Sequence, residues 1–189
     1  GDNIQVLNPT TTAQYFHALR RQVIRKWRKP LVILTPKSLL RDKRAVSSLQ
    51  ELSSGNFSRI IADQRAPGAP TSRVLLCSGK VYYELADARD EAKSDAAILR
   101  VEQLYPLTDA AIAAALKPYP KITPVYWVQE EPENMGAWPY LRRRFGEWLL
   151  GRYPFEIIAR SPSASPATGS KRQHETEQKD LLRRALDLK

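Results

Sequence analysis

The chain has 189 residues, of which 42% are hydrophobic and 26% are charged. These proportions exclude a wholly disordered chain, and no stretch of about 18 uninterrupted apolar residues predicts a membrane span. Thirty Lys and Arg residues against twenty Asp and Glu residues give a net charge of +10, which favours acidic partners such as phosphates, cofactors, nucleic acid or an acidic protein.

The first predicted elements form a βαβ unit. Residues 4–7 are a strand candidate, and a polar N-cap segment then precedes apolar residues at helical spacing. Those residues, which predict a core-facing helix of about four turns, are Phe16, Leu19, Val23 and Trp27. Pro30 ends this helix, and LVILT at 31–35 is typical of a strand buried on both faces. Because the chain begins with Gly1 and the first strand has no earlier partner, we expect a piece of a longer protein.

A segment dense in Pro, Gly and Ala, QRAPGAPTS, has the composition of a linker. We therefore predict a first domain over residues 1–65, a linker over 66–71 and a second domain over 72–189. In the second domain strands and helices alternate. The predicted strands are RVLLCSG, AAILRVEQL, PVYWVQEE and FEIIA, and the predicted helices are KVYYELADARDEAK, TDAAIAAALKPY, WPYLRRRFGEWLL and residues 171–188. This alternation predicts an α/β fold with a mostly parallel sheet and helices on both faces.

The loops after the strands are where an α/β sheet places its functional groups. In CSGK, Lys80 begins a helix and could meet an anion, although a plain tight turn explains the same residues. In QEEPENMGAW, Glu130 and Glu131 leave the strand on opposite faces, which argues against a paired-carboxylate site. The sequence favours a structural loop here, in which one carboxylate accepts hydrogen bonds and residues 134–136 complete a turn.

Other catalytic patterns are weak. Cys77, the single cysteine, excludes an internal disulfide and favours a reducing compartment, while a base beside it would have to be His17 or His174. We find no metal-ligand spacing, no catalytic triad and no dinucleotide fingerprint. The basic stretch RRQVIRKWRK, followed later by LRRRF, is explained by a solvated helix face or by a nucleic-acid-binding module. The aromatic residues sit in strands or at core spacing, which disfavours the second explanation.

Eight segments, taken in chain order, resemble one family along essentially the whole chain. They are FHALRRQ, RKPLVILTPKSLLR, AVSSLQEL, CSGKVYYEL, RVEQLYPL, WVQEEPENMGAW, SASPATGS and HETEQKDLL. The resemblance is to the C-terminal end of the thiamine-dependent decarboxylase component of the 2-oxoglutarate dehydrogenase complex. It implies the tail of a pyrimidine-binding domain over 1–65 and a transketolase-type C-terminal domain over 72–189.

The resemblance also implies a reaction. In the family, thiamine diphosphate with Mg²⁺ decarboxylates 2-oxoglutarate, and the succinyl group passes to a lipoyl group on the succinyltransferase component. The cofactor site lies upstream in family members, so we expect this chain alone to bind no thiamine diphosphate and to be inactive. The implied partners are the rest of its own chain, a second copy in a homodimer and the succinyltransferase, with no nucleic acid and no membrane. The implied location is the bacterial cytoplasm or the mitochondrial matrix.

Two further sets of expectations come from the family. Actinobacterial relatives carry an acetyl-CoA effector site in this region, of which Arg21 and Gln103 are kept. Asn56, Arg59, Ala110 and Ala111 stand where those relatives carry Lys, Ser and two Arg, and the loss of three cations argues against acetyl-CoA regulation. We expect structural or interface roles in loops for Lys37, Ser38, Arg41, Lys80, Glu130, Glu131, Asn134 and Gly136. A relative acting on 2-oxoadipate, or as a carboligase, is the alternative, because the substrate-pocket residues lie outside the chain.

Overall fold

The computed structural model describes residues 2–65 and 69–188, so residues 66–68 of the predicted linker lie outside the described part. The strands are β1 Gln5–Leu7, β2 Leu31–Ile33, β3 Ile60–Ile61, β4 Val74–Cys77, β5 Ala97–Val101, β6 Gln103–Tyr105, β7 Val125–Pro132, β8 Trp148–Leu149 and β9 Tyr153–Arg160. The α-helices are α1 Thr12–Ile24, α2 Leu49–Ser54, α3 Val81–Ala92, α4 Asp109–Leu116, α5 Trp138–Phe145 and α6 Lys171–Leu186. Short 3-10 turns cover Lys37–Arg41 and Lys43–Ala45.

The larger sheet has the strand order β3-β5-β4-β7-β9-β8. Its four central strands are parallel, and β3 and β8 add antiparallel edges. Side chains alternate between the faces of a strand, so Leu75 and Leu76 of β4 enter different apolar clusters. The cluster that contains Leu75 also includes residues of α3 and α6. The cluster that contains Leu76 includes residues of α4 and α5. The predicted α/β fold with helices on both faces is confirmed.

The smaller sheet has the strand order β2-β1-β6. Strands β1 and β2 are parallel with α1 between them, which confirms the predicted βαβ unit. Strand β6 runs antiparallel to β1, although it follows β5 of the larger sheet directly. The single strand predicted from AAILRVEQL is therefore wrong: the chain changes sheets at Glu102, which is fully buried.

The predicted orientation of α1 is also wrong. The helix ends at Ile24, and Phe16, Val23 and Trp27 are exposed rather than in the core. Leu19 is likewise 44% exposed. The helix instead buries Ala13, Gln14, His17 and Ala18. Gln14 meets polar groups of its neighbours there, donating to the backbone oxygen of Ser58 and accepting from its N–H. A prediction from apolar spacing alone therefore chose the exposed face of α1 as the buried one.

Two other predicted elements differ in extent or burial. Strand β2 is only partly buried, because it forms an edge of the smaller sheet, and Val32 is 42% exposed. The helix predicted over WPYLRRRFGEWLL ends at Phe145, since Gly146 adopts a positive φ of 65° and β8 follows. Strand β3 falls within the predicted first domain yet pairs with β5. The division at residues 65–72 stays a prediction.

Within residues 2–65 and 69–188, none of the helices combines the length and the apolar character that crossing a membrane requires.

Candidate functional site

The CSGK and QEEPENMGAW loops meet at the carboxyl edge of the larger sheet. Lys80 follows β4 and forms an ion pair with Glu130 of β7, the neighbouring strand. The Lys80 ammonium also lies 3.6 Å from the Glu84 carboxylate, one turn further along α3. The side chains of Lys80 and Glu130 are 33% and 20% exposed, respectively, so the pair is partly shielded from water. The lysine charge is thus met by carboxylates of the chain itself.

Removing this ion pair is expected to have a modest effect. We expect Lys80→Met and Glu130→Gln, combined in a double-mutant cycle, to show a coupling free energy of about 1 kcal/mol, since the pair is neither fully exposed nor fully buried. Urea denaturation of the four proteins measures it. A coupling indistinguishable from zero would show that the pair makes no net contribution to stability.

The side chain of Gln129 holds the QEEPENMGAW loop through hydrogen bonds of its carboxamide. Its carboxamide is buried, and Oε1 accepts hydrogen bonds from Trp127 Nε1 at 2.8 Å and from the Trp138 backbone N–H at 3.1 Å. Its Nε2 donates to the backbone oxygens of Pro132 at 3.0 Å and Met135 at 2.7 Å. One side chain therefore links the end of β7, the loop and the start of α5. Sequence reasoning missed this residue; a lone amide in the otherwise apolar run before Glu130 was the available signal.

Gly136 lies directly over that carboxamide. Its φ is +68°, and an added Cβ would come within 2.8 Å of Gln129 Oε1. We expect Gly136→Ala to lower the free energy of unfolding by about 2 to 3 kcal/mol, because it combines backbone strain with a contact that Gln129 cannot yield without losing its bonds. Thermal and urea denaturation measure the change.

The matched control is Gly151→Ala. Gly151 has a similar φ of +65°, yet an added Cβ would meet no described atom within 4 Å. Only the backbone strain of about 1 kcal/mol is then expected. Equal losses at the two positions would contradict the close approach to Gln129.

The remaining predicted loop residues lie either in the QEEPENMGAW loop or on the 3-10 turn that follows β2. Asn134 connects its loop to residues 161–170: Nδ2 donates to the Ser163 carbonyl at 2.9 Å, and Oδ1 accepts from the Ser163 N–H at 3.0 Å. Glu131 is exposed. Lys37, Ser38 and Arg41 are exposed on the 3-10 turn that follows β2.

A buried polar cluster joins the two sheets where the chain changes between them. Glu102 Oε2 accepts from the Thr10 N–H at 2.8 Å, and Glu102 Oε1 accepts from Thr10 Oγ1 at 2.6 Å. Arg100 Nη1 donates to Thr10 Oγ1 at 3.0 Å, and Tyr83 donates its hydroxyl proton to the Thr10 carbonyl at 2.6 Å. Burial raises the pKa of Glu102 to about 7, against the lowering effect of the bonds from Thr10.

The two residues of the implied effector site flank a second polar region, beside α1. Arg21 stacks on Phe57, with its guanidinium carbon 4.1 Å from the ring centroid, and shares the Gln5 side chain with Arg25. Burial, together with the nearby charges of Arg25 and Arg59, lowers the pKa of Arg21 to about 10. Gln103 lines a neighbouring pocket that also includes Arg25 and Arg59. Three guanidinium groups thus converge here.

The groups required by other chemistries are not assembled in the described residues. Cys77 is fully buried in β4, burial raises the pKa of its thiol to about 12, and the thiol points to the Leu99 carbonyl at 3.8 Å. In the described part of the chain, no three His, Cys, Asp or Glu side chains are placed to hold a metal ion. A diphosphate bridged by Mg²⁺, which requires carboxylate or other oxygen ligands, does not fit this donor set.

The architecture is that of a transketolase-type lobe. The family model described as "Transketolase, pyrimidine binding domain" matches residues 2–43, the region of the βαβ unit. The model described as "2-oxoglutarate dehydrogenase C-terminal" matches residues 46–186, which include the whole of the larger sheet. The chain belongs to the 2-oxoglutarate dehydrogenase C-terminal family, as its ordered loop segments predict.

Individual relatives give the same assignment. The chain is 49% identical over 186 residues to the 2-oxoglutarate dehydrogenase E1 component of Cupriavidus necator. It is 46% identical over 190 residues to that of Azotobacter vinelandii and 44% identical over 191 residues to that of Coxiella burnetii. These matches cover 97 to 99% of this chain. The chain spans about a fifth of the length of these curated relatives, 20% in each case.

Proposed function

We propose that this chain is the C-terminal lobe of a thiamine diphosphate-dependent 2-oxoglutarate dehydrogenase. The reaction of the whole protein would be decarboxylation of 2-oxoglutarate and transfer of the succinyl group to a lipoyl group of the succinyltransferase component, within the tricarboxylic acid cycle. The observation that carries the proposal is the 49% identity to a 2-oxoglutarate dehydrogenase E1 component over 97% of this chain. The bacterial relatives support a cytoplasmic location.

The lobe itself would frame the reaction centre rather than contain it. Thiamine diphosphate, when bound elsewhere in the protein, supplies the carbanion chemistry; the described residues would shape the entrance and hold the dimer. The exposed apolar residues of the α1 region support such contacts, because a cluster of exposed large apolar side chains is typical of an interface. They are Phe16, Leu19, Val23, Ile24 and Trp27. Other parts of the whole protein, or a second copy in the dimer, would cover these residues.

A domain exchange tests the proposal. The C-terminal fifth of the Cupriavidus necator relative is replaced by this chain, and turnover of 2-oxoglutarate is measured with thiamine diphosphate and Mg²⁺. We expect the chimera to be dimeric and active, and the relative truncated before the exchanged segment to be inactive. A folded, dimeric chimera without activity would reject the assignment.

The isolated chain provides the complementary measurement. We expect calorimetric titration with thiamine diphosphate and Mg²⁺ to show no binding, because the described donor set does not provide the metal ligands. Tight binding by these 189 residues alone would overturn the view that the lobe is an auxiliary part.

We also propose that Arg21 and Gln103 are remnants of an effector pocket. Arg25 and Arg59 supply positive charge at this place, Arg59 where the actinobacterial relatives carry Ser, whereas Asn56, Ala110 and Ala111 supply none. Because most of the phosphate-binding charge of the family's acetyl-CoA site is replaced, acetyl-CoA is expected to leave the rate of the intact protein unchanged. Acceleration by acetyl-CoA that is lost in Arg21→Gln would contradict this expectation.

A further inference from the structure

A cavity lies between the two sheets, at a place where strands of both sheets end. Its volume is about 280 Å³. Asn8, Leu34 and Ser78, the residues that directly follow β1, β2 and β4, line it together with the end of β7. In α/β proteins ligands bind in the crevice outside the carboxyl ends of the strands. Four strands bring their carboxyl ends to this cavity, so its position makes it a candidate binding site.

The walls of the cavity are held by hydrogen bonds on both sides. On the side of the smaller sheet, Asn8 Nδ2 donates to Ser78 Oγ at 3.3 Å, and the Asn8 N–H donates to the Glu102 carbonyl at 2.9 Å. On the side of the larger sheet, the Gln129 carboxamide fixes the loop after β7 through its bonds to two loop carbonyls. The cavity is therefore preformed by contacts of both sheets.

The lining of the cavity is mainly apolar and aromatic. The rings of Tyr105 and Tyr140 meet edge to face, with their centroids 5.9 Å apart. Tyr140 is 40% exposed and Trp127 is 1% exposed, which places the tyrosine at the mouth and the indole at the inner end. The aliphatic lining residues are Val6, Leu34, Leu104, Ala137 and Leu141. Such a lining favours a mostly apolar ligand, and aromatic faces also attract cations.

Glu131 supplies the only charge among the described residues that line the cavity. Glu130 and Glu131 leave β7 on opposite faces. Glu130 is paired with Lys80, whereas the Glu131 side chain forms no ion pair or hydrogen bond within residues 2–65 and 69–188. A carboxylate without a partner therefore stands beside an apolar cavity.

One cation reaches the cavity from outside its lining. Arg144 Nη1 donates to the Tyr140 hydroxyl at 3.1 Å. Nη2 of the same guanidinium lies 2.5 Å from the Asp109 carboxylate, which balances its charge. The excess at the cavity is thus one negative charge, that of Glu131. A ligand with one positive charge would balance it, and an anion would be repelled.

We propose that this cavity binds a small organic ammonium ion. The ammonium group pairs with the Glu131 carboxylate, and the apolar part of the ligand packs against Tyr105 and Tyr140, towards Trp127. A volume of about 280 Å³ suits a single ring with a short chain rather than a nucleotide-sized ligand. Such binding does not depend on the enzymatic function proposed for the whole protein.

Calorimetric titration of the intact protein with phenethylammonium chloride tests the site, at constant ionic strength. Two probes of similar shape separate charge from shape, the neutral phenethyl alcohol and the anionic hydrocinnamate. We expect saturable binding of phenethylammonium, weaker binding of the alcohol and no binding of hydrocinnamate. Absence of saturable phenethylammonium binding would overturn the site, and hydrocinnamate binding of equal or greater affinity would overturn the cation assignment.

Glu131→Gln tests the charge of the site, because it removes the charge and keeps the shape of the side chain. We expect the affinity for phenethylammonium to fall about fivefold, the upper range for an exposed ion pair, and the affinity for phenethyl alcohol to stay unchanged. The matched control is Glu133→Gln, at an exposed glutamate of the same loop outside the lining, which should bind as the wild type does. Equal losses in the two variants would contradict the pairing with Glu131.

Tyr140→Ala tests the aromatic wall and leaves Glu131 in place. Tyr140 is partly exposed, so the variant is expected to fold, which circular dichroism checks. Loss of one ring contact is expected to lower the affinity for both phenethylammonium and phenethyl alcohol about tenfold. Unchanged affinities for both ligands would show that they bind elsewhere and would overturn the site.

Discussion

Gln129→Leu is expected to lower the free energy of unfolding by about 4 kcal/mol or more. The leucine would leave the buried Trp127 indole N–H and the Trp138 N–H without their acceptor, and the carbonyls of Pro132 and Met135 without their donor. Each unpaired buried group costs about 1 to 3 kcal/mol, and partial access of water to the loop limits the sum. Urea denaturation followed by tryptophan fluorescence measures the loss.

Gln50→Leu is the matched control for this substitution. Gln50 is exposed in the first turn of α2, so the same chemical change should alter stability by less than about 0.5 kcal/mol. Gln129→Glu separates the two halves of the network: the carboxylate keeps the acceptor for Trp127 and Trp138 but removes the donor to the two carbonyls. A loss in Gln129→Leu no greater than in Gln50→Leu would show that the loop does not depend on this carboxamide.

The order of strands and helices was accessible from the sequence because alternating apolar runs and helical spacing repeat through the second half of the chain. The predicted burial was wrong for α1, whose apolar residues do not face this chain's own core. Phe16 and Val23 have core spacing, yet α1 buries its polar Gln14 and leaves them exposed. A pattern of residues predicts that a face is covered, but it does not say which chain covers it.

The functional loops could be selected from the sequence, but their contacts could not. The strand-end rule directed attention to the loops of Lys80 and Glu130, and these two side chains pair because parallel strands bring their carboxyl ends to one edge. That the two pair with each other depends on β4 lying beside β7, a neighbour relation that chain order does not specify. Gln129 and Glu102 were missed for a similar reason: a single polar residue in an apolar run gives no indication of its partners.

The Glu102 carboxyl is expected to make the free energy of unfolding depend on pH. Its pKa rises from the ordinary 4.5 to about 7 in the folded protein, chiefly through burial, so the fold favours the protonated carboxyl. The resulting stabilisation is complete below the unfolded pKa and is lost as the pH rises through the folded pKa, because the unfolded chain releases its proton first. The affected window runs from 4.5 to about 7.

We expect the free energy of unfolding to fall by about 2.5 kcal/mol through this group between about pH 5 and about pH 8, and the fall to be absent in Glu102→Gln. The amide also faces the donors of Thr10, so the variant has a constant offset; the quantity to compare is the change with pH, measured by urea denaturation. Glu156→Gln, at an exposed position of β9, should retain the wild-type pH dependence. The same slope in Glu102→Gln as in the wild type would show that Glu102 is ionised throughout this range, and that its bonds to Thr10 and Gln14 outweigh its burial.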